Sequence, residues 1–203
     1  MRHRLALLVT GASGMALPRA VLAAMARSPV VERVHLVVSR GASQVLQHEL
    51  SRSTGAGDLV EAANVTEVER EKIYVHRDNE LDAAISSGSY RLTGTAVIPC
   101  SAGTLGALAT GSAGTLIHRA GAVALKEQWP LVLGFRETPL TTIHLENLRR
   151  LAYLRAVILP PVPAFYVGGE DFNRFLDHYV LRVLDRFGIH EPGAEGLRWG
   201  DPR

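Results

Sequence analysis

Short apolar runs separated by amphipathic stretches set the rhythm of this chain. Leu5 to Val9 is apolar over a strand's length, and Thr10-Gly11-Ala12-Ser13-Gly14 then turns into a stretch with Val21, Leu22 and Met25 at helical spacing. Val34 to Val38 repeats the strand signal and ends at Ser39-Arg40, ahead of a helix over about 42–50 that carries Val45, Leu46 and Glu49. Residues 51–72 have the weakest pattern, with a Gly-rich loop and one helical turn over 59–63. Ile73-Tyr74-Val75 reads as a short strand, and 79–85 as a short helix stopped by Ser86-Ser87-Gly88-Ser89. Ala96-Val97-Ile98 is a buried strand that Pro99 should close, because proline donates nothing to a central ladder. A helix follows with Leu105, Leu108 and Ala109, then a second over 114–126 with Leu116, Ile117, Ala120, Val123 and Ala124 on one side. Leu131 to Phe135 is the next strand, ending in Arg136-Glu137-Thr138-Pro139, and Ile143, Leu145, Leu148, Leu151 and Leu154 mark the next helix. A last strand over 156–159 runs into Pro160-Pro161-Val162-Pro163-Ala164-Phe165-Tyr166, before a helix over about 170–187.

Near-continuous apolar strands alternating with helices predict an α/β fold. The sheet should be parallel, doubly wound and Rossmann-like (flavodoxin-like), with helices on both faces. At 203 residues with 47% hydrophobic content, the chain fits one domain. A net charge of +2, with basic residues scattered and no run longer than Arg149-Arg150, argues against a nucleic-acid surface. No apolar segment approaches the roughly 20 residues a membrane span needs. The N-terminal apolar run is also too short for a signal peptide, so a cytoplasmic protein is expected. The single cysteine, Cys100, excludes an internal disulfide and a multi-cysteine metal site, and its apolar setting reads as packing.

Ligands on such folds bind beyond the carboxyl ends of the strands. Those ends hold Ser13, Ser39, Ser101 to Thr104, Arg136-Glu137 and the proline loop ending in Tyr166, with no His/Asp/Glu cluster at metal-ligand spacing. Taken alone, Ser101 reads as the N-cap of an ordinary strand-to-helix turn. The Thr-Gly-Ala-Ser-Gly start resembles NADP-dependent short-chain dehydrogenases. Those enzymes pair a lysine with a tyrosine four residues earlier, whereas Lys72 and Lys126 are preceded there by Val68 and Ala122. A mononucleotide fits the small-residue turns better.

The ordered set of Pro99-Cys100-Ser101-x-x-Thr104-Leu105, Arg119-Ala120, Leu125-Lys126-Glu127, Pro130-Leu131-Val132-Leu133, Arg136-Glu137-Thr138-Pro139 and Leu159 to Tyr166 resembles the flavin prenyltransferases of the UbiX family. The match runs from Gly11 to about Trp199. That resemblance implies metal-independent transfer of a dimethylallyl group from dimethylallyl phosphate to N5 and C6 of reduced FMN. The product, prenylated FMN, would serve a UbiD-type decarboxylase. By resemblance, Gly11, Ala12, Ser13, Ser39, Ser101, Ala102, Gly103, Thr104, Arg119 and Arg136 hold FMN. Lys126, Tyr166, Arg182 and Trp199 meet the prenyl phosphate, and Ser13, Glu49, Lys126 and Glu137 are the catalytic set. A homododecamer with sites between subunits is also implied, the tail at 188–203 packing on a neighbour.

These residue types suit the chemistry. Cations at Lys126, Arg136 and Arg182 would stabilise departing phosphate, and a carboxylate at Glu137 or Glu49 would take up a proton. The aromatic face of Trp199 would favour a developing allylic cation. Each also has a plainer reading: Lys126 as a helix-end cation, Glu49 as a solvated carboxylate, Arg182 as a salt-bridging arginine, Tyr166 and Trp199 as packing aromatics. The chain departs from the family pattern at Met15-Ala16-Leu17-Pro18 and at Gly114-Thr115. A flavin-dependent decarboxylase of the same fold would instead need a histidine near the ring, and His118 and His144 lie on helices where packing or capping explains them. A non-catalytic FMN carrier is the remaining alternative.

Overall fold

In the structure, a computed structural model, residues 2–50, 55–167, 170–190 and 196–200 are described. Six strands form one sheet: β1 (His3–Val9), β2 (Val31–Val38), β3 (Ile73–His76), β4 (Gly94–Cys100), β5 (Leu131–Phe135) and β6 (Val157–Ile158). Their order is β3-β2-β1-β4-β5-β6, and each neighbouring pair is parallel. The expected doubly wound class is therefore observed, in its Rossmann strand order. Winding reverses between β1 and β4, which leaves a crevice at their carboxyl ends.

Helices α1 (Ala16–Arg27), α2 (Arg40–Leu50), α3 (Ala56–Ala62) and α4 (Glu67–Arg70) belong to the first half of the chain. The second half supplies α5 (Ala102–Thr110), α6 (Leu116–Lys126), α7 (Thr142–Tyr153) and α8 (Phe172–Asp185). Alternation along β1 divides the core. Leu5, Leu7 and Val9 pack into a layer with residues of α1, α2, α3 and α8, while Ala6 and Leu8 pack into the opposite layer with residues of α5, α6 and α7. A strand buried on both faces has no polar side, so its sequence reads as an unbroken apolar run. The Phe187 ring, two residues past α8, lies against the start of β4 because Gly94 has no side chain there; an added Cβ would overlap that ring.

Four local expectations are corrected. Pro99 does not close the β4 strand but lies inside it, at a register irregularity between Val97 and Cys100 where a missing donor is tolerated. Residues 79–85 form turns and a 3-10 segment (Ala84–Ser86) rather than an α-helix. The reason is Asp78: its carbonyl accepts from Leu116 N and its carboxylate from Ile117 N, which ties the segment to the start of α6. That helix starts at Leu116 and not at Gly114, because Thr115 caps it by accepting from His118 N. The last strand shrinks to Val157–Ile158.

Candidate functional site

The crevice between β1 and β4 is laced by Thr10. Its hydroxyl donates to the Pro99 carbonyl at 2.7 Å and accepts from Ser101 N at 2.8 Å, which fixes the two turns side by side. Ser101 caps α5, its hydroxyl accepting from Thr104 N and donating to the Thr104 hydroxyl. Within that first turn Thr104 N and Leu105 N are taken by Ser101, whereas the N–H groups of Ala102 and Gly103 have no acceptor among the described residues. On the other side of β1, Ser39 caps α2 by accepting from Ala42 N at 3.1 Å. Gly11 meets Gly41 backbone to backbone, since a Cβ on Gly11 would stand 3.0 Å from the Gly41 carbonyl carbon. A side chain at Gly11 would push the two turns apart, whereas a Cβ on Gly41 would meet Gly11 at an ordinary 3.5 Å.

Glu49, at the end of α2, reaches across to the same place. Its carboxylate accepts from Gly14 N at 2.9 Å and from Met15 N at 2.7 Å, at the start of α1. Burial alone would raise its pKa. The Met15 N–H, the Ser13 hydroxyl, the Gly14 N–H and the charge of Arg136 outweigh that and hold it below 4.5. Glu49 is thus an exposed clasp: its carboxylate ties down the Gly14 and Met15 N–H groups just ahead of α1, where Met15 makes no side-chain cap bond. Arg136 is exposed beyond β5, and its own N–H bonds to the Cys100 carbonyl. Ser13, Ser39, Glu49, Ser101 to Thr104 and Arg136 therefore gather at the strand ends. The donors there are N–H groups, hydroxyls and a guanidinium, a set that fits the phosphate and polar ring edge of FMN. Cys100 lies beneath them, fully buried, with its thiol pushed up to about 12 by desolvation.

A second group forms on the outer face of α8. Tyr166, Arg182 and Trp199 line one cavity of about 280 Å³ together with His178, Asp185 and Arg198. The Tyr166 hydroxyl lies 3.1 Å from His178 Nε2, and the Tyr166 and Trp199 rings meet edge to face at 5.3 Å. Arg198 forms a two-pronged bridge to Asp185 at 2.8 and 2.7 Å, which holds Trp199 beside the opening. His178, Arg182 and Asp185 recur at i, i+4 and i+7, so one helical face builds the wall.

Two expected site residues, Lys126 and Arg119, stand apart within the chain. Lys126 ends α6 beside Gly88, five residues before β5 begins, and pairs with Glu127. That is the amino end of the strands, opposite the crevice. Arg119, also on α6, donates to the Ser86 carbonyl at 3.1 Å. Glu137 is exposed beside Arg136, with one carboxylate oxygen accepting from Thr138 N. His144 closes a capping box with Thr141 and packs on Phe135, and the His118 N–H is taken by Thr115. Sequence reading passed over Thr10, Gly41, His178, Asp185 and Arg198; for His178 and Asp185, the i, i+4, i+7 spacing through Arg182 was an available signal.

The flavoprotein family profile matches residues 1–173. A probable UbiX-like flavin prenyltransferase of Escherichia coli O157:H7 is 41% identical over 191 residues, covering 94% of this chain and 90% of that protein. The flavin prenyltransferase LpdB of Lactiplantibacillus plantarum is 40% identical over 182 residues, covering 90% and 91%. Among solved structures, a dodecameric FMN-dependent UbiX-like decarboxylase from E. coli O157:H7 superposes with a TM-score of 0.84 at 40% identity, over 97% of this chain and 98% of that one. AnUbiX, solved in complex with FMN and dimethylallyl pyrophosphate, gives 0.82 at 39% identity over 93% and 94%. With this fold, these turns and this likeness along nearly the whole length, the chain belongs to the flavoprotein family, among the UbiX-like flavin prenyltransferases.

Proposed function

We propose that this protein is a flavin prenyltransferase. It would move a dimethylallyl group from dimethylallyl phosphate to N5 and C6 of reduced FMN, releasing phosphate. The observation that carries the reading is the convergence of Tyr166, Arg182 and Trp199 on one cavity, because a flavin carrier has no use for a second anion site walled by aromatics. FMN would be held by the turns at Gly11 to Ser13, Ser39 and Ser101 to Thr104 and by Arg136, and it supplies the nucleophilic nitrogen and carbon when bound. Arg182 and Tyr166 would take the prenyl phosphate, their donors stabilising charge as the carbon–oxygen bond breaks. Trp199 would lie along the five-carbon chain. We assign proton uptake to Glu137, since Glu49 engages the N–H groups of Gly14 and Met15 and keeps the turn in place.

Lys126 can join this site only from another copy, because α6 and α8 cover opposite faces of the sheet. Exposed apolar side chains at Ile143, Leu145, Tyr153 and Phe165 supply surface for such an assembly, and the dodecameric relative is a precedent for its size. Trp199 is 81% exposed even beside Tyr166, which leaves most of the ring for a neighbouring subunit. Residues 191–195 and 201–203 of the tail expected to pack there lie outside the described residues. We further propose a UbiD-type decarboxylase as recipient and a cytoplasmic setting, which suits a chain whose one cysteine is buried and unpaired.

The test is to incubate the purified protein anaerobically with reduced FMN and dimethylallyl phosphate. A flavin heavier by one five-carbon unit is expected. Unchanged FMN would overturn the reading in favour of a carrier or a decarboxylase.

A further inference from the structure

We propose that His178 is a positioning residue: it holds the Tyr166 hydroxyl so that its proton points into the cavity, toward the prenyl phosphate. This rests on the reading above for the ligand, but the geometry is the chain's own. His178 Nε2 lies 3.1 Å from Tyr166 Oη, and the two rings meet edge to face at 5.8 Å. The histidine is 9% exposed, one turn before Arg182 on the same helical face, and it lines the same cavity.

A phenol hydroxyl has one proton. If Tyr166 gave it to His178, only a lone pair would face an incoming phosphate, and two acceptors would meet. With His178 Nε2–H donating into the phenol oxygen instead, the Tyr166 proton is free for a phosphate oxygen. The surroundings favour a neutral histidine that can do this. Burial, then the charges of Arg182 and Arg198, lower its pKa from 6.5, so the ring adds no cation to compete with Arg182. His178 therefore acts through Tyr166, while Arg182 remains available to the anion.

The test compares His178→Gln with His178→Asn in anaerobic prenylation assays. A glutamine amide reaches the place of Nε2, whereas an asparagine amide reaches only the place of Nδ1. His178→Asn should raise the KM for dimethylallyl phosphate roughly tenfold, the effect of losing one hydrogen bond to a charged group, with FMN affinity unchanged. His178→Gln should recover most of that loss. In a cycle with Tyr166→Phe, the double variant should match Tyr166→Phe alone. His178→Leu in the same cycle gives an independent measurement. Equal behaviour of the Gln and Asn variants, or additive losses in the cycle, would overturn the inference. A wild-type protein that leaves FMN unchanged would overturn the proposed function instead, so the two failures are distinct.

Discussion

Glu49 shows how one carboxylate sets the shape of a ligand turn. It joins the end of α2 to the start of α1 through two peptide N–H groups, and Ser13 lies between them in its field. Its folded pKa lies below 4.5, so its contribution to stability is complete above that value and is lost as pH falls through the folded pKa. Glu49→Gln should lower the melting temperature at pH 7 by about 2–4 °C, the cost of a helix cap in a chain of this size. The difference should narrow as pH falls through the lowered folded pKa of Glu49. Thermal melts of both proteins across that range check the sign. Arg182 predicts a different split. Arg182→Ala should leave FMN binding within about twofold while abolishing detectable prenylation, read by flavin titration and product mass, because it lines the second cavity and not the first turns. Equal loss of flavin would show that the two groups are one site.

At the scale of elements, legibility followed the source of each element's stability. Strands buried on both faces and long amphipathic helices were readable, since their signal is a repeat of apolar positions: β1, β5 and α8 were expected within a few residues of their ends. Segments decided by a distant partner were not. The 79–85 stretch is shaped by Asp78 bonding to α6, and no local pattern announces that contact. Pro99 misled because the rule against proline in a central strand has an exception at irregular register, which depends on β5. α4 was missed although Thr66 and Glu69 form a complete capping box, a signal in the sequence that its few apolar residues hid. The turn residues proposed to hold flavin were legible as strand ends, but the clasp by Glu49 and the stitching by Thr10 depend on tertiary contacts. Gly94 tests the packing of Phe187, just past α8, directly. Gly94→Ala should cost about 1–3 kcal/mol in urea unfolding, because the added methyl meets the Phe187 ring and one must move.

For the whole molecule, the exposed apolar residues around α7 are where association should be most sensitive. Ile143→Asp with Leu145→Asp should reduce the oligomer to smaller species in analytical ultracentrifugation, and prenylation should fall with it. FMN should still bind, since the turns proposed to hold it lie within one chain. An intact oligomer after both changes would move the interface elsewhere. The position of Lys126 at the amino end of the strands carries a genetic consequence. If Lys126 and Arg182 reach one site from different copies, two dead proteins can repair each other. Lys126→Ala and Arg182→Ala subunits, dissociated, mixed in equal amounts and reassembled, should regain about a quarter of wild-type activity, since half of the copies supply each side chain independently. A site built from a single chain would regain none.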